Sequence, residues 1–122
     1  MKTTATSPTF PRPDLPFADI FLAAPVPASV SRALDGRLLA VNDAWVRVTG
    51  IAREDAIGRT TVELGHWPDQ TTRQSYVEHV RQGRPEGHQL LCLGQGQLHR
   101  VRLHTQMLDT DSERLLLVFM TE

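Results

Sequence analysis

Five histidines, a single cysteine and two tryptophans are the side chains of this sequence with the most chemical reach. A structural zinc needs nitrogen and sulfur donors converging on one point. His88 and Cys92 stand four residues apart in a strand-like stretch, which separates them by about 13 Å at strand rise. They cannot share an ion. His66, His79, His99 and His104 form no paired metal spacing either, so the sequence predicts no metal site. Nucleophilic catalysis needs a serine or cysteine, a base and an orienting acid brought together. Ser29, Ser31, Ser75 and Ser112 lie in no nucleophile-elbow motif, and Gly94-Gln95-Gly96 reads as a hairpin link rather than a phosphate loop. The acidic pairs Glu54-Asp55 and Asp109/Asp111 occupy turn-like segments and read as solvated surface. The expectation is a module without catalysis of its own.

Periodicity and breakers define the elements that would position these residues. Pro8, Pro11, Pro13 and Pro16 remove backbone donors, so residues 1–16 are expected to form an extended, flexible tail. Phe17, Ile20, Phe21 and Leu22 then recur at near-helical spacing in a short helix ended by Pro25. Residues 28–42 read as a β-hairpin about Asp35-Gly36, a pair that tolerates the positive φ of a tight turn. Asn42 or Asp43 can cap a helix with Ala44, Trp45 and Val48 on one face, and Gly50 is placed to end it.

Short pieces follow. Arg53 to Ile57 suits one or two helical turns, and Thr60-Thr61-Val62-Glu63 has the spacing of a capping box. Pro68 and Asp69 open a longer helix to about Gln82 that buries Tyr76, Val77 and Val80, and Gly83 and Pro85 stop it. Three strands close the chain, over residues 88–93, 97–108 and 114–121. In the second of these, Val101, Leu103 and Met107 alternate with Arg100, Arg102, His104 and Gln106, a half-buried pattern. The last strand is apolar on both faces, with Leu115, Leu117 and Phe119 on one and Leu116, Val118 and Met120 on the other. Both faces therefore need cover, one from the core and the other from the Phe17–Leu22 segment or a partner subunit. Five antiparallel strands with helices inserted after the second make an α+β fold. Reading order leaves the strand arrangement open.

Bulk properties narrow the class further. A chain of 122 residues suits one domain, and 40% apolar with 22% charged residues is ordinary globular composition. A net charge of −1, with both signs scattered, argues against nucleic acid as a partner. No apolar run approaches the roughly 20 residues that span a bilayer, and the N-terminus lacks the apolar stretch of a secretory signal. The lone Cys92 excludes an internal disulfide framework and fits a reducing cytoplasm.

The stretch DGRLLAVNDAWVRVTGIAREDAIGRTTVEL resembles the most recognisable segment of PAS domains, and the resemblance extends over residues 17–122. Asp35-Gly36 matches the family's hairpin turn, Asn42 its asparagine after the second strand, and Gly50 the glycine closing the next helix. Ile57-Gly58-Arg59 matches its IG(K/R) signature, and Leu64-Gly65-His66-Trp67 before the Tyr76 helix is also similar to bacterial sensor modules. The resemblance implies a five-stranded antiparallel sheet in order 2-1-5-4-3, helices on one face, and ligands between that face and the helices. It also implies an outer sheet face that takes the N-terminal flanking helix and a dimer partner. The chain departs from the family's closing Asp-Ile-Thr triplet, since it ends VFMTE, with Phe119 or Glu122 at the acidic place. The expectation is a sensor domain excised from a longer signalling protein, with its effector (a histidine kinase, a cyclic-dinucleotide enzyme or a transcription factor) absent.

The family's cofactors can be tested on residues. Where haem-binding relatives carry the iron-ligating histidine, three residues before the helical aromatic, this chain has Arg73, which disfavours haem. His79 is the remaining helical candidate and reads as an exposed or interfacial residue. Covalent-adduct flavin chemistry needs a cysteine where Gly58-Arg59-Thr60-Thr61 offers threonine, so Thr61 excludes it. A non-covalent flavin flanked by Trp45 and Trp67 stays open, and the cofactor is not specified. The resemblance places a candidate ligand cavity among Trp45, Val48, Leu64, Trp67, Tyr76, Val80, Leu91, Val101 and Leu103, with His66 and Arg73 as polar contacts. A homodimer interface is expected from Phe17, Ile20, Phe21, Leu115, Leu117 and Phe119. The function implied is a cytoplasmic sensory and dimerisation module that regulates a linked effector, with a ligand-free protein–protein interaction module as the alternative.

Overall fold

Asparagine after a strand can accept from helical N–H groups that otherwise lack partners, and Asn42 organises the first half of the fold in this way. The computed structural model describes residues 14–93 and 97–121, leaving out the side chains of residues 89–93 and 97–98. Most of the expected tail, the Gly94-Gln95-Gly96 link, the side chains of Leu91 and Cys92, and Glu122 lie outside the described residues.

The first helix, α1 (Phe17–Ala23), precedes a hairpin of β1 (Ala28–Arg32) and β2 (Leu38–Val41). Its turn carries Gly36 at φ 80°, the left-handed conformation anticipated for the Asp-Gly pair. Asn42 caps α2 (Asp43–Thr49) by accepting from the Trp45 amide at 2.9 Å, and Gly50 closes that helix at φ 72°. A single helical turn, α3 (Arg53–Ala56), follows. Thr60 and Glu63 form the reciprocal capping box, Thr60 N donating to Glu63 Oε1 at 2.8 Å and Glu63 N to Thr60 Oγ1 at 3.1 Å. The segment behind it continues as turns rather than a helix, because Gly65 at φ 81° interrupts it. Asp69 caps α4 (Gln70–Arg81) through the Thr72 amide at 2.7 Å.

The remaining strands, β3 (Glu86–Leu93), β4 (Gln97–Asp109) and β5 (Arg114–Thr121), complete an antiparallel sheet in the order β2-β1-β5-β4-β3. Strand β5 is therefore central, paired along both edges by β1 and β4. Cross-strand partners share a face of a sheet, so the registers Leu103↔Met120, Met107↔Leu116 and Ser29↔Val118 define the inner face. Leu38, Val41, Trp45, Tyr76, Val80, Val101, Leu103 and Met120 form the buried core there, beneath the helices.

The outer face carries Leu115, Leu117 and Phe119, all half-buried. The expectation that α1 covers them is not met. Its principal packing is with α2, no residue of α1 is buried, and Phe17 and Ile20 are 48% and 52% exposed. The connection after α1 is held from a distance in sequence: Asn42 Nδ2 donates to Val26 O at 2.8 Å, and its Oδ1 accepts from Ala28 N at 2.9 Å. These bonds tie the Pro25–Pro27 connection to the start of α2 and set α1 beside it.

Gly87 shows how tightly α4 meets the sheet. A Cβ there would lie 2.4 Å from Tyr76 Cε1, within a ring whose hydroxyl is held by Pro85 O and Thr105 Oγ1, each at 2.8 Å. Gly87→Ala is expected to destabilise the chain by about 2 kcal/mol through overpacking. Chemical denaturation measures it, and an unchanged midpoint would show that the ring moves freely.

Candidate functional site

Three short elements converge over the inner sheet face. Helix α2 supplies Trp45, the turns after the capping box supply Thr61, His66 and Trp67, and α4 supplies Arg73, Tyr76 and Val77. The α4 trio stands at i, i+3 and i+4, the spacing that puts side chains on one helix face. The sheet contributes Ser29, Ser31, Leu38, Leu103, Leu116, Val118 and Met120. Between them lies a cavity of about 40 Å3. One water needs ~10–15 Å3, so the space takes about three waters or a small organic molecule. Pockets for drug-sized ligands and cofactors start near ~300 Å3, and the cavity is well below that size.

Of the residues expected to line a cavity, Trp45, His66, Trp67, Arg73, Tyr76 and Leu103 do so. Val80 and Val101 are core, with Val48 and Leu64 packed against it. Val48 and Val101 instead line an open cleft with Pro25, Val26, Pro27 and Thr121, which shares Met120 with the cavity. His79 is exposed on α4. The residues not anticipated are Ser29, Ser31, Leu38, Thr61, Val77, Leu116, Val118 and Met120. Alternation along β5 already separated its even-numbered set from Leu115, Leu117 and Phe119, and that was the signal available. Ser29 and Ser31 follow from the expected order that sets β1 beside β5, with Ser29 opposite Val118, whereas Thr61 lies in an irregular turn with no periodicity to place it.

The polar edge of the cavity is unusual in its electrostatics. Arg73 is 2% exposed. Its Nη2 donates to Arg32 O at 3.0 Å and Ala33 O at 3.1 Å, pinning α4 to the end of β1. Burial pulls its pKa below the ordinary value, and the charge of Asp35 partly offsets this. Asp35 is itself engaged elsewhere, accepting from Arg32 Nη2 at 2.5 Å and from the Arg37 amide at 3.0 Å. Its hydrogen bond from Arg32 and that from the Arg37 amide, against a counteracting desolvation, hold its pKa down at about 2. His66 stacks at a tilt on Trp45, ring centroids 5.7 Å apart, and burial lowers its pKa to about 4. Trp67 lies similarly on Tyr76 at 5.4 Å. No carboxylate lines the cavity, and among the described residues no group of three metal-ligating side chains gathers.

Short helices thus close a small chamber over one face of a five-stranded antiparallel sheet. A family model described as PAS fold matches residues 17–121, and the chain belongs to the PAS family. The PAS domain is a sensory module. Among solved structures, the chain is similar to a PAS domain from a two-component sensor histidine kinase, with 21% identity, TM-score 0.71, and 87% of this chain and 93% of that one covered. It is also similar to the PAS domain of an HTR-like protein from Haloarcula marismortui, with 19% identity, TM-score 0.70, and 86% and 87% covered. A third likeness is the PAS domain of the Cronobacter turicensis RpfR quorum-sensing receptor in complex with C12:0, with 15% identity, TM-score 0.64, and 81% and 94% covered. No curated protein matches the sequence. No described helix is long and apolar enough to cross a membrane.

Proposed function

We propose that the chain is a cytoplasmic sensory and dimerisation module that regulates a linked effector by binding a small ligand in the chamber between its helices and the sheet. The observation that supports this reading is a central strand apolar on both faces, with a small, partly open, polar-edged chamber on the inner side. Arg73 spans the two, since it lines the chamber and holds the carbonyls at the end of β1. Strand β1 pairs along β5, whose outer residues Leu115, Leu117 and Phe119 offer the surface for a second copy. A ligand that favours one seating of α4 would thereby bias the outer face. Coupling energies of about 1–3 kcal/mol are ordinary for such devices. The signalling neighbours support the sensory class, and the RpfR complex shows that one relative's PAS domain takes a small organic ligand.

The outer-face claim has a direct test. Leu117→Arg and Ile20→Arg are expected to convert a dimer to a monomer in sedimentation velocity, with the thermal transition of the inner core retained. Sedimentation unchanged by both would remove this surface from the interface. The small volume of the chamber favours a second reading, a ligand-free association module. Native mass spectrometry separates the two, because a retained small molecule supports the sensor and a ligand-free dimer supports the alternative.

A further inference from the structure

A groove of about 570 Å3 opens at one end of the sheet, where β1 runs into its turn, α4 passes over and β4 turns back into β5. It shares only Val77 with the chamber. Its floor is apolar, formed by the half-buried Ala33, Val77 and Met107. Leu34 stands at its rim with 81% of its surface exposed. The backbone fixes that rim: Ala33 N donates to Arg114 O at 2.9 Å, Gly36 N donates to Arg32 O at 2.8 Å, and the carbonyls of Arg32 and Ala33 accept from the buried Arg73. The facing turn is held as well, with Thr110 N donating to Glu113 O at 2.9 Å and Glu113 N to Thr110 Oγ1 at 3.1 Å. An exposed leucine on a fixed turn, beside a concave apolar floor, has the character of an interaction site rather than of scattered surface leucine. Three guanidiniums from three elements line the same groove, Arg32 of β1, Arg81 of α4 and Arg114 of β5. Glu113 is the one carboxylate among the described lining residues. The arginines pair with Asp35, Glu78 and Asp109, none of which lines the groove. Surface pairs of this kind contribute little and exchange readily. Arg114 engages Asp109 through Nε, and Arg32 engages Asp35 through Nε and Nη2, so each guanidinium keeps several of its five N–H donors for a partner.

We infer that this groove docks an acidic, amphipathic segment of a partner protein. Its carboxylates meet Arg32, Arg81 and Arg114, and a large apolar side chain lies on the Val77–Met107 floor against Leu34. The charge of the lining selects an anionic partner, and arginine binds a carboxylate through two parallel N–H···O bonds. The apolar floor and Leu34 select a protein segment over a nucleic acid, whose phosphates are bound through charge. A second copy of this chain is disfavoured, because a two-fold pairing of the groove would set the same three cations face to face. The proposal requires no ligand in the chamber and no contact across the outer sheet face.

The test titrates the full chain into a fluorescein-labelled peptide of repeating Glu-Glu-Leu and reads anisotropy. Three labelled comparators are run beside it: a peptide with lysine for glutamate, one with serine for leucine, and an oligothymidylate. The acidic leucine peptide is expected to bind saturably, at least tenfold more tightly than the lysine peptide and severalfold more tightly than the other two. Arg81→Gln combined with Arg114→Gln is expected to lose the tenfold preference, and Leu34→Ser to weaken binding severalfold. All three side chains are exposed, so the thermal midpoint is expected to hold. Amide chemical shifts of the wild-type chain are expected to move at residues 32–34, 77–81 and 112–114, which locates the peptide even where a variant misfolds. No saturable binding would overturn the proposal, as would equal binding of the glutamate and lysine peptides. Oligothymidylate binding as tightly as the acidic leucine peptide would make the groove a general polyanion surface. A preference retained in the folded arginine variant, or shifts confined to the chamber or the outer face, would place the site elsewhere. Self-association in sedimentation that the arginine variant abolishes would assign the groove to a second copy instead. Each of these failures leaves the chamber and the sensory reading untouched.

Discussion

Replacing Asn42 by alanine is expected to cost about 3 kcal/mol of unfolding free energy and, for a domain of this size, about 15 °C in Tm. Asn42 is fully buried, and every polar atom of its side chain is committed. Oδ1 accepts from Trp45 N and Ala28 N, each at 2.9 Å, and Nδ2 donates to Val26 O at 2.8 Å. Loss of an N-cap alone costs roughly 1 kcal/mol. The Ala28 amide, on a residue with 0% exposure, would then be left without its acceptor, at a further ~1–3 kcal/mol. Asn42→Asp retains the acceptor and loses the donor to Val26, so an intermediate loss is expected. Differential scanning calorimetry of both variants provides the measurement. A loss under about 1 kcal/mol in Asn42→Ala would mean that water replaces these bonds and that the α1 connection is not held by them.

The second large effect is a pH dependence centred on His66. Its folded pKa of about 4 lies below the usual histidine value of 6.5, because burial penalises the imidazolium. Between those values the unfolded chain binds the proton and the folded chain does not, so stability rises with pH across the window. The contribution is complete above pH 6.5 and is lost as pH falls toward 4. A shift of this size corresponds to about 3 kcal/mol. Asp35 acts lower on the scale, since its depressed value of about 2 makes its contribution decline only below the ordinary aspartate range. Urea unfolding at pH 7, 5.5 and 4 should therefore show a steady loss in the wild-type chain. His66→Phe, which fills the same place on Trp45 without a titrating group, should lose stability only at the acid end of that window, where Glu63, Asp69 and Glu78, held below their ordinary values in the fold, begin to take up protons in the unfolded chain. Equal slopes in the two proteins would locate the dependence elsewhere.

Local chemistry made much of the fold legible. The Asp35-Gly36 turn, the Asn42 and Asp69 caps, the Gly50 terminus and the Thr60–Glu63 box all depend on neighbours within a few residues, and the structure has each as expected. Strand β5 was legible as a strand apolar on both faces, because alternation is a property of the segment alone. The cover for its outer side was not, since the position of α1 depends on where Asn42 holds Val26, a contact spanning 16 residues. The candidate site divides in the same way. Trp45, His66, Trp67, Arg73, Tyr76 and Leu103 were expected there from the family resemblance, whereas Ser29, Ser31 and Thr61 came to the lining from separate segments, β1 and the turns after the capping box.

By itself, then, the sequence determined the elements, their ends and the two greasy sides of the last strand, because propensity, capping and periodicity act over one or two turns of chain. Only the tertiary structure decided that Arg73 would be enclosed with one edge unpartnered, that α1 would lean on α2, and that the chamber would be small. Each of these follows from the packing of segments distant in sequence, where volume and hydrogen-bond supply are set by all the neighbours together.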